Sequence, residues 1–149
     1  MREFLFHGKR IDNGEWVEGW YQPPVSWGGS SWGTAITFHH PTEGWLADAE
    51  VDPDTVGEFF GKRDKNGRRI FEGDIGRYRQ TDGAKRNGTS ILCTGKVVYN
   101  AETASYAVDS RDAAGCRYFD YFPIKDFEVI GNIHDNPELL EENDGTTLD

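Results

Sequence analysis

Most of the chain consists of short runs in which apolar and polar residues alternate, each closed by a turn rich in Gly, Asn or Asp. Alternation with a period of two puts one set of side chains on a buried face and the other in water, so each run predicts a half-buried strand. Arg2 to His7 predicts the first strand. Gly8 to Gly14 predicts a turn, with Asn13-Gly14 as the tight reversal and Ile11 placed opposite Trp16. Glu15 to Tyr21, reading Glu-Trp-Val-Glu-Gly-Trp-Tyr, predicts the return strand. Gln22 to Gly33 is rich in Pro, Gly and Ser and predicts a long loop bearing Trp27 and Trp32. Thr34 to His39 alternates again and predicts a strand, whereas Trp45 to Val51 fits no single element.

The centre of the pattern is Pro53 to Ile75. Asp64-Lys65-Asn66-Gly67 predicts a turn, because Asn and Gly tolerate positive φ and the Asp64 carboxylate can accept backbone N–H groups ahead of it. Glu58 to Phe60 and Arg69 to Phe71 flank it as the two arms of a hairpin. Glu72-Gly73-Asp74 predicts a second turn, and Ile75 to Arg79 a third strand of the same antiparallel sheet. Gln80 to Thr89 is polar and predicts an exposed loop. Ile91 to Cys93, Gly95 to Tyr99, Tyr106 to Asp109, Tyr118 to Phe122 and Phe127 to Ile133 predict further strands, with a turn at Asn100 to Ala104. Asn136 as cap, Pro137 at the first helical position and Glu138 near the positive end of the dipole predict a short helix ending by Glu142.

Many short strands with turn signals between them predict a mainly β fold, an antiparallel barrel-like or two-sheet domain with a short C-terminal helix. Closing a barrel would hide the strand edges. A chain of 149 residues suits one domain, expected over residues 1–142, with 143–149 as a flexible acidic tail. Aromatic residues make up 13% of the chain, and 18 Gly supply the turns, a composition that disfavours a helical bundle. Gly19 to Thr42 carries no charge, but its Pro and Gly exclude a membrane-spanning helix. Cys93 and Cys116 form no recognisable framework. With no secretory signal at the N-terminus, free thiols in a cytoplasmic protein are expected.

Net charge is −10, and residues from Asp126 onward hold eight Asp or Glu and no Lys or Arg. The acidic balance argues against general affinity for nucleic acid, which needs positive surface. Against it stands one basic cluster: Lys62, Arg63, Lys65, Arg68 and Arg69 crowd the central hairpin. They could contact phosphate, but Lys and Arg at a hairpin tip also arise simply as solvated charges that block edge pairing. Trp27 and Trp32, on a Gly- and Ser-rich frame, are candidate recognition anchors, or else lids folded back on the core. His7, His39, His40 and His134 show no metal-ligand spacing with the cysteines, so no metal or cofactor is expected. Asp52 with Asp54, and Glu72 with Asp74, could serve a metal-dependent hydrolase. Acids in Pro- and Gly-containing turns have a sufficient backbone reason of their own.

Three separated stretches resemble the YopX protein family. They are Phe6-His7-Gly8-Lys9-Arg10-Ile11-Asp12-Asn13-Gly14-Glu15-Trp16-Val17-Glu18-Gly19, then Pro53 to Phe59 with Asp64 to Ile75, and finally Glu128 to Leu140. The resemblance implies a phage- or prophage-encoded, mainly β, barrel-like protein. The family has no established activity, so no catalytic residue is carried over. Gln22 to Glu50 and Gln80 to Lys96 fit the pattern poorly, which places partner choice in them. The reading that follows is a non-enzymatic accessory protein of the host bacterial cytoplasm, binding a protein partner or itself through Trp27 and Trp32. The alternatives are a nucleic-acid-binding small β-barrel, using the hairpin cluster with Arg77, Lys85 and Arg86, and a metal-dependent hydrolase.

Overall fold

The computed structural model describes residues 4–81, 90–110 and 126–141. The chain divides into two compact units, Met1–Phe59 and Phe60–Asp149.

The first unit holds β1 (Phe6–Lys9), β2 (Trp16–Gln22), β3 (Val25–Trp27), β4 (Ser30–Trp32), β5 (Ala35–His39), β6 (Leu46–Glu50) and the start of β7 (Gly57–Arg63). Its sheet runs β6-β5-β2-β1-β7, with antiparallel neighbours. Beyond β6 the chain turns back on β1. Arg10 bridges Val51, Ile11 N–H donates to the Glu50 carbonyl at 3.0 Å, and Asp52 N–H donates to that of Lys9 at 2.9 Å. The sheet therefore curls, but no barrel closes among the described residues. Among its described residues, Ile36, Val51, Ala49 and Phe59 are the buried apolar side chains of this unit. The curl needs a bare backbone at Gly19, where a Cβ would lie 2.0 Å from the Thr37 carbonyl oxygen.

The second unit holds the rest of β7, β8 (Arg69–Phe71), β9 (Asp74–Thr81), β10 (Ser90–Asn100), β11 (Ser105–Asp109), β12 (Glu128–Asn132) and α1 (Glu138–Glu141). β8 lies beside β7, and a separate four-stranded antiparallel sheet has the order β11-β10-β9-β12. One face of these strands gives a core of Ile70, Tyr78, Cys93, Val97, Val108, Phe127 and Val129, with Phe60 and Tyr106 packed against it. The Phe127 ring sits directly on Gly76, whose place a Cβ could take only at 1.9 Å from Phe127 Cζ.

Mainly β, antiparallel and with one short C-terminal helix, the fold is as the pattern predicts, and it takes the open-sheet form. Several local expectations shift. The first strand starts at Phe6 and includes Gly8 and Lys9, so Trp16 faces Lys9 and not Ile11. The expected loop from Gln22 to Gly33 contains the β3–β4 hairpin. Trp45 to Val51 resolves as β6. The strand from Ile75 leaves the β7–β8 sheet, because Gly73 (φ 94°) reverses the chain and Asp74 starts a new one. Two strands expected between Ile91 and Tyr99 are one, since Thr94 and Gly95 stay in register with Arg77 and Gly76. Asn136 does not cap the helix with its side chain, whose Oδ1 accepts from Asn132 N–H at 3.3 Å. Cys93 is no free thiol: it is wholly buried and disulfide-bonded, a pairing that sequence separation alone could not disclose. The strand expected over Tyr118 to Phe122, Cys116, Lys85, Arg86 and the tail at 143–149 lie outside the described residues. No helix among those residues is long and apolar enough to cross a membrane.

Candidate functional site

Gly28 and Gly29 both have positive φ, at 58° and 85°, the backbone of a two-residue turn whose twist matches its strands. The register pairs Val25 with Trp32 and Trp27 with Ser30. Residues opposite one another in an antiparallel ribbon share a face, as do residues two apart. Val25, Trp27 and Trp32 therefore gather on one side, and Ser26 and Ser31 occupy the other. The apolar side is open: Trp27 is 79% exposed, Trp32 61% and Val25 49%. A two-stranded ribbon has no interior of its own, so this area remains in water until something covers it.

Below the hairpin lies a cavity of about 390 Å³ within the first unit. Pro23, Val25 and Trp32 contribute its apolar lining, and Gln22, Thr37 and Asp48 its polar lining. The polar three form a row across β2, β5 and β6. Gln22 Nε2 donates to Thr37 Oγ1 at 3.3 Å, and Thr37 Oγ1 donates to Asp48 Oδ1 at 2.5 Å. Glu50 follows two residues after Asp48 and so shares its face. Its carboxylate lies against Gly33, another lining residue, where a Cβ would fall 2.4 Å from Oε1. Trp20 pairs with Thr37 in register and meets His39 edge-on at 5.5 Å. The site thus sets carboxylates among exposed aromatic rings.

The basic hairpin is arranged differently. Arg63 Nη1 donates to the Gly67 carbonyl at 2.9 Å, and Lys65 Nζ lies 3.7 Å from Glu128 Oε2. Arg69 is half-buried, while Lys62 and Arg68 are exposed. Asp64 organises this turn. Although it is 94% buried, with 6% of its surface accessible, it accepts three backbone N–H groups, each at 2.9 Å. Oδ1 takes those of Asn66 and Arg68, and Oδ2 takes that of Val129, which joins the hairpin to β12. Burial pushes the Asp64 pKa up, but the bonds from Val129, Arg68 and Asn66 outweigh it and hold the group below the usual carboxylate range.

The other acids serve turns. Asp52 accepts Asp54 N–H at 3.0 Å at the start of the 3-10 turn Pro53–Thr55, and Asp74 accepts Phe71 N–H at 2.9 Å. His7 packs on Trp16 at 4.6 Å between ring centres, and His40 stacks on Trp45 at 4.5 Å. No group of three or more His, Cys, Asp or Glu is placed to hold a metal ion among the described residues. Missing from the sequence reading were Gln22, Thr37, Asp48 and Glu50. Their signal was the strand period over β6, hidden while Trp45 to Val51 had no assigned element. A second signal was the charge division: residues 1–59 hold three Lys or Arg against ten Asp or Glu, net −7, whereas residues 60–125 hold thirteen against eight, net +5.

These features define a mainly β, antiparallel protein with an exposed aromatic hairpin above an acidic cavity. The sequence model of the YopX protein family matches residues 28–141, and the chain belongs to that family. The central and C-terminal signatures fall inside this match. Among solved structures, the crystal structure of protein EF1440 from Enterococcus faecalis is similar to it, with 24% identity over 94% of this chain and 99% of that one, at a TM-score of 0.51. That similarity concerns the fold. No curated protein matches the chain.

Proposed function

We propose that this YopX-family protein is a non-enzymatic, phage-type accessory module that binds a protein partner, or a second copy of itself, through the β3–β4 hairpin. The observation that carries the reading is the gathering of Val25, Trp27 and Trp32 on one exposed face of a ribbon with no core beneath it. Exposed aromatic clusters of this kind supply the few residues that dominate binding energy in protein interfaces. The bacterial cytoplasm remains the proposed compartment.

The test compares wild type with Trp27→Ala/Trp32→Ala by sedimentation velocity and by affinity capture from bacteria making the tagged protein. Wild type should self-associate or recover a stoichiometric partner. Each Trp removed should weaken association by about 2 kcal/mol, roughly thirtyfold. A monomeric wild type that recovers no partner overturns the reading. A second reading, nucleic-acid binding, draws on the net +5 of residues 60–125 and the exposure of Lys62 and Arg68. A gel shift at low salt that shows no binding to single- or double-stranded DNA or RNA eliminates it.

A further inference from the structure

Resting on the interaction-module reading, we propose that the cavity beneath the β3–β4 hairpin is a socket for an arginine side chain of the protein partner. Three features point to a cation. The first unit carries net −7. One of its few cations, Arg10, is already held by Asp12 at 2.8 Å. The cavity itself presents the Asp48 carboxylate, with that of Glu50 against its lining residue Gly33.

Two further features favour guanidinium over ammonium. The exposed Trp32 indole contributes to the lining. A planar, delocalised cation stacks on such a ring while donating sideways to a carboxylate, which a point charge cannot do equally well. Asp48 is also fixed for the purpose. Thr37 Oγ1 donates to its Oδ1, and Gln22 in turn donates to Thr37, so the carboxylate is oriented before any ligand arrives. Pre-set donors and acceptors reduce the ordering cost of binding.

Gly33 keeps the Glu50 carboxylate where it is. Any side chain there would displace Oε1. The partner's arginine would lie flat against Trp32 with its fork towards Asp48, while neighbouring partner residues cover Val25 and Trp27. The apolar face then supplies contact area and the socket supplies selectivity.

The probes are acetyl-Gly-Arg-Gly-amide and its Lys, citrulline and Glu counterparts, titrated into the full chain at low salt. The readout is the indole N–H NMR signal of Trp32, assigned with Trp32→Phe. Citrulline keeps the shape of arginine without its charge. The Arg peptide should shift the Trp32 signal saturably, with Lys weaker and citrulline at least about tenfold weaker. Asp48→Asn, an exposed change that retains an acceptor for Thr37, should weaken the Arg peptide by about tenfold with an unchanged melting temperature. No saturable shift, equal shifts from Arg and citrulline, or full binding by Asp48→Asn each overturns the socket. If association is lost in Trp27→Ala/Trp32→Ala while the Arg peptide leaves Trp32 unmoved, the socket fails and the interaction-module reading stands.

Discussion

Replacing Asp64 with Asn changes one oxygen for an NH2 group and leaves volume almost untouched. The carboxylate serves both of its oxygens at once, Oδ1 to Asn66 and Arg68, Oδ2 to Val129. An amide has a single acceptor oxygen. Whichever way it turns, its NH2 group faces a backbone N–H that had been bonded. The Val129 bond is buried, so orienting the oxygen towards Asn66 and Arg68 leaves that N–H without an acceptor. An orphaned buried donor costs about 1–3 kcal/mol, and losing charge from the remaining bonds adds to it. The expected loss is about 3 kcal/mol, or a melting temperature lower by roughly 10 °C. All five Trp lie in residues 1–59, so Trp fluorescence is blind to this unit. Urea unfolding should instead follow the NMR amide signals of Val97 and Val108, paired in the second core. The pH dependence supplies a second arm. The folded pKa of Asp64 lies below its ordinary value, so the stabilisation is full above the ordinary carboxylate range, near pH 4. It is lost as pH falls through the lowered folded value. The gap between wild type and Asp64→Asn should therefore be widest near neutrality and shrink in acid. A variant within about 0.5 kcal/mol of wild type at pH 7, or a gap that grows on acidification, refutes the reasoning.

Gly76→Ala drives a methyl group into the Phe127 ring and should cost about 3 kcal/mol or more, seen as a fall in melting temperature of the second unit. A neutral result would show that the ring does not occupy that position. Gly29→Ala meets no atom within 4 Å, so its cost is the positive φ alone, about 1 kcal/mol. It should loosen the hairpin and weaken partner association several-fold without moving core amide signals, and Gly29→Asn should restore most of the loss. Ellman titration of unfolded, unreduced protein should find no free thiol. Two thiols per chain would contradict the state of Cys93.

What the sequence made legible follows from local chemistry. The period-two runs and the glycine-bearing turns gave the strand class, the Asp64 to Gly67 reversal and the short helix, because each depends on neighbours a few residues apart. Trp27 and Trp32 stood out by type alone. Their meeting on one face depends on a tight turn at Gly28-Gly29, and the Ser and Pro around that turn predict by composition only a loop. The alignment of Gln22, Thr37 and Asp48 required the order β2-β5-β6, a property of sheet assembly that no stretch of sequence contains. Burial of Asp64 was likewise hidden. Its local turn bonds were foreseeable, but its bond to Val129 joins residues 65 positions apart.

The β3–β4 hairpin is the proposed surface for meeting a partner. A photo-crosslinking amino acid placed at Trp27, and in a parallel variant at Thr103 in the exposed turn after β10, tests this in bacteria making the full chain. The prediction is one discrete adduct, with a partner or a second copy, from position 27 and none from 103. An adduct from 103 alone, or no adduct from either position, would contradict it.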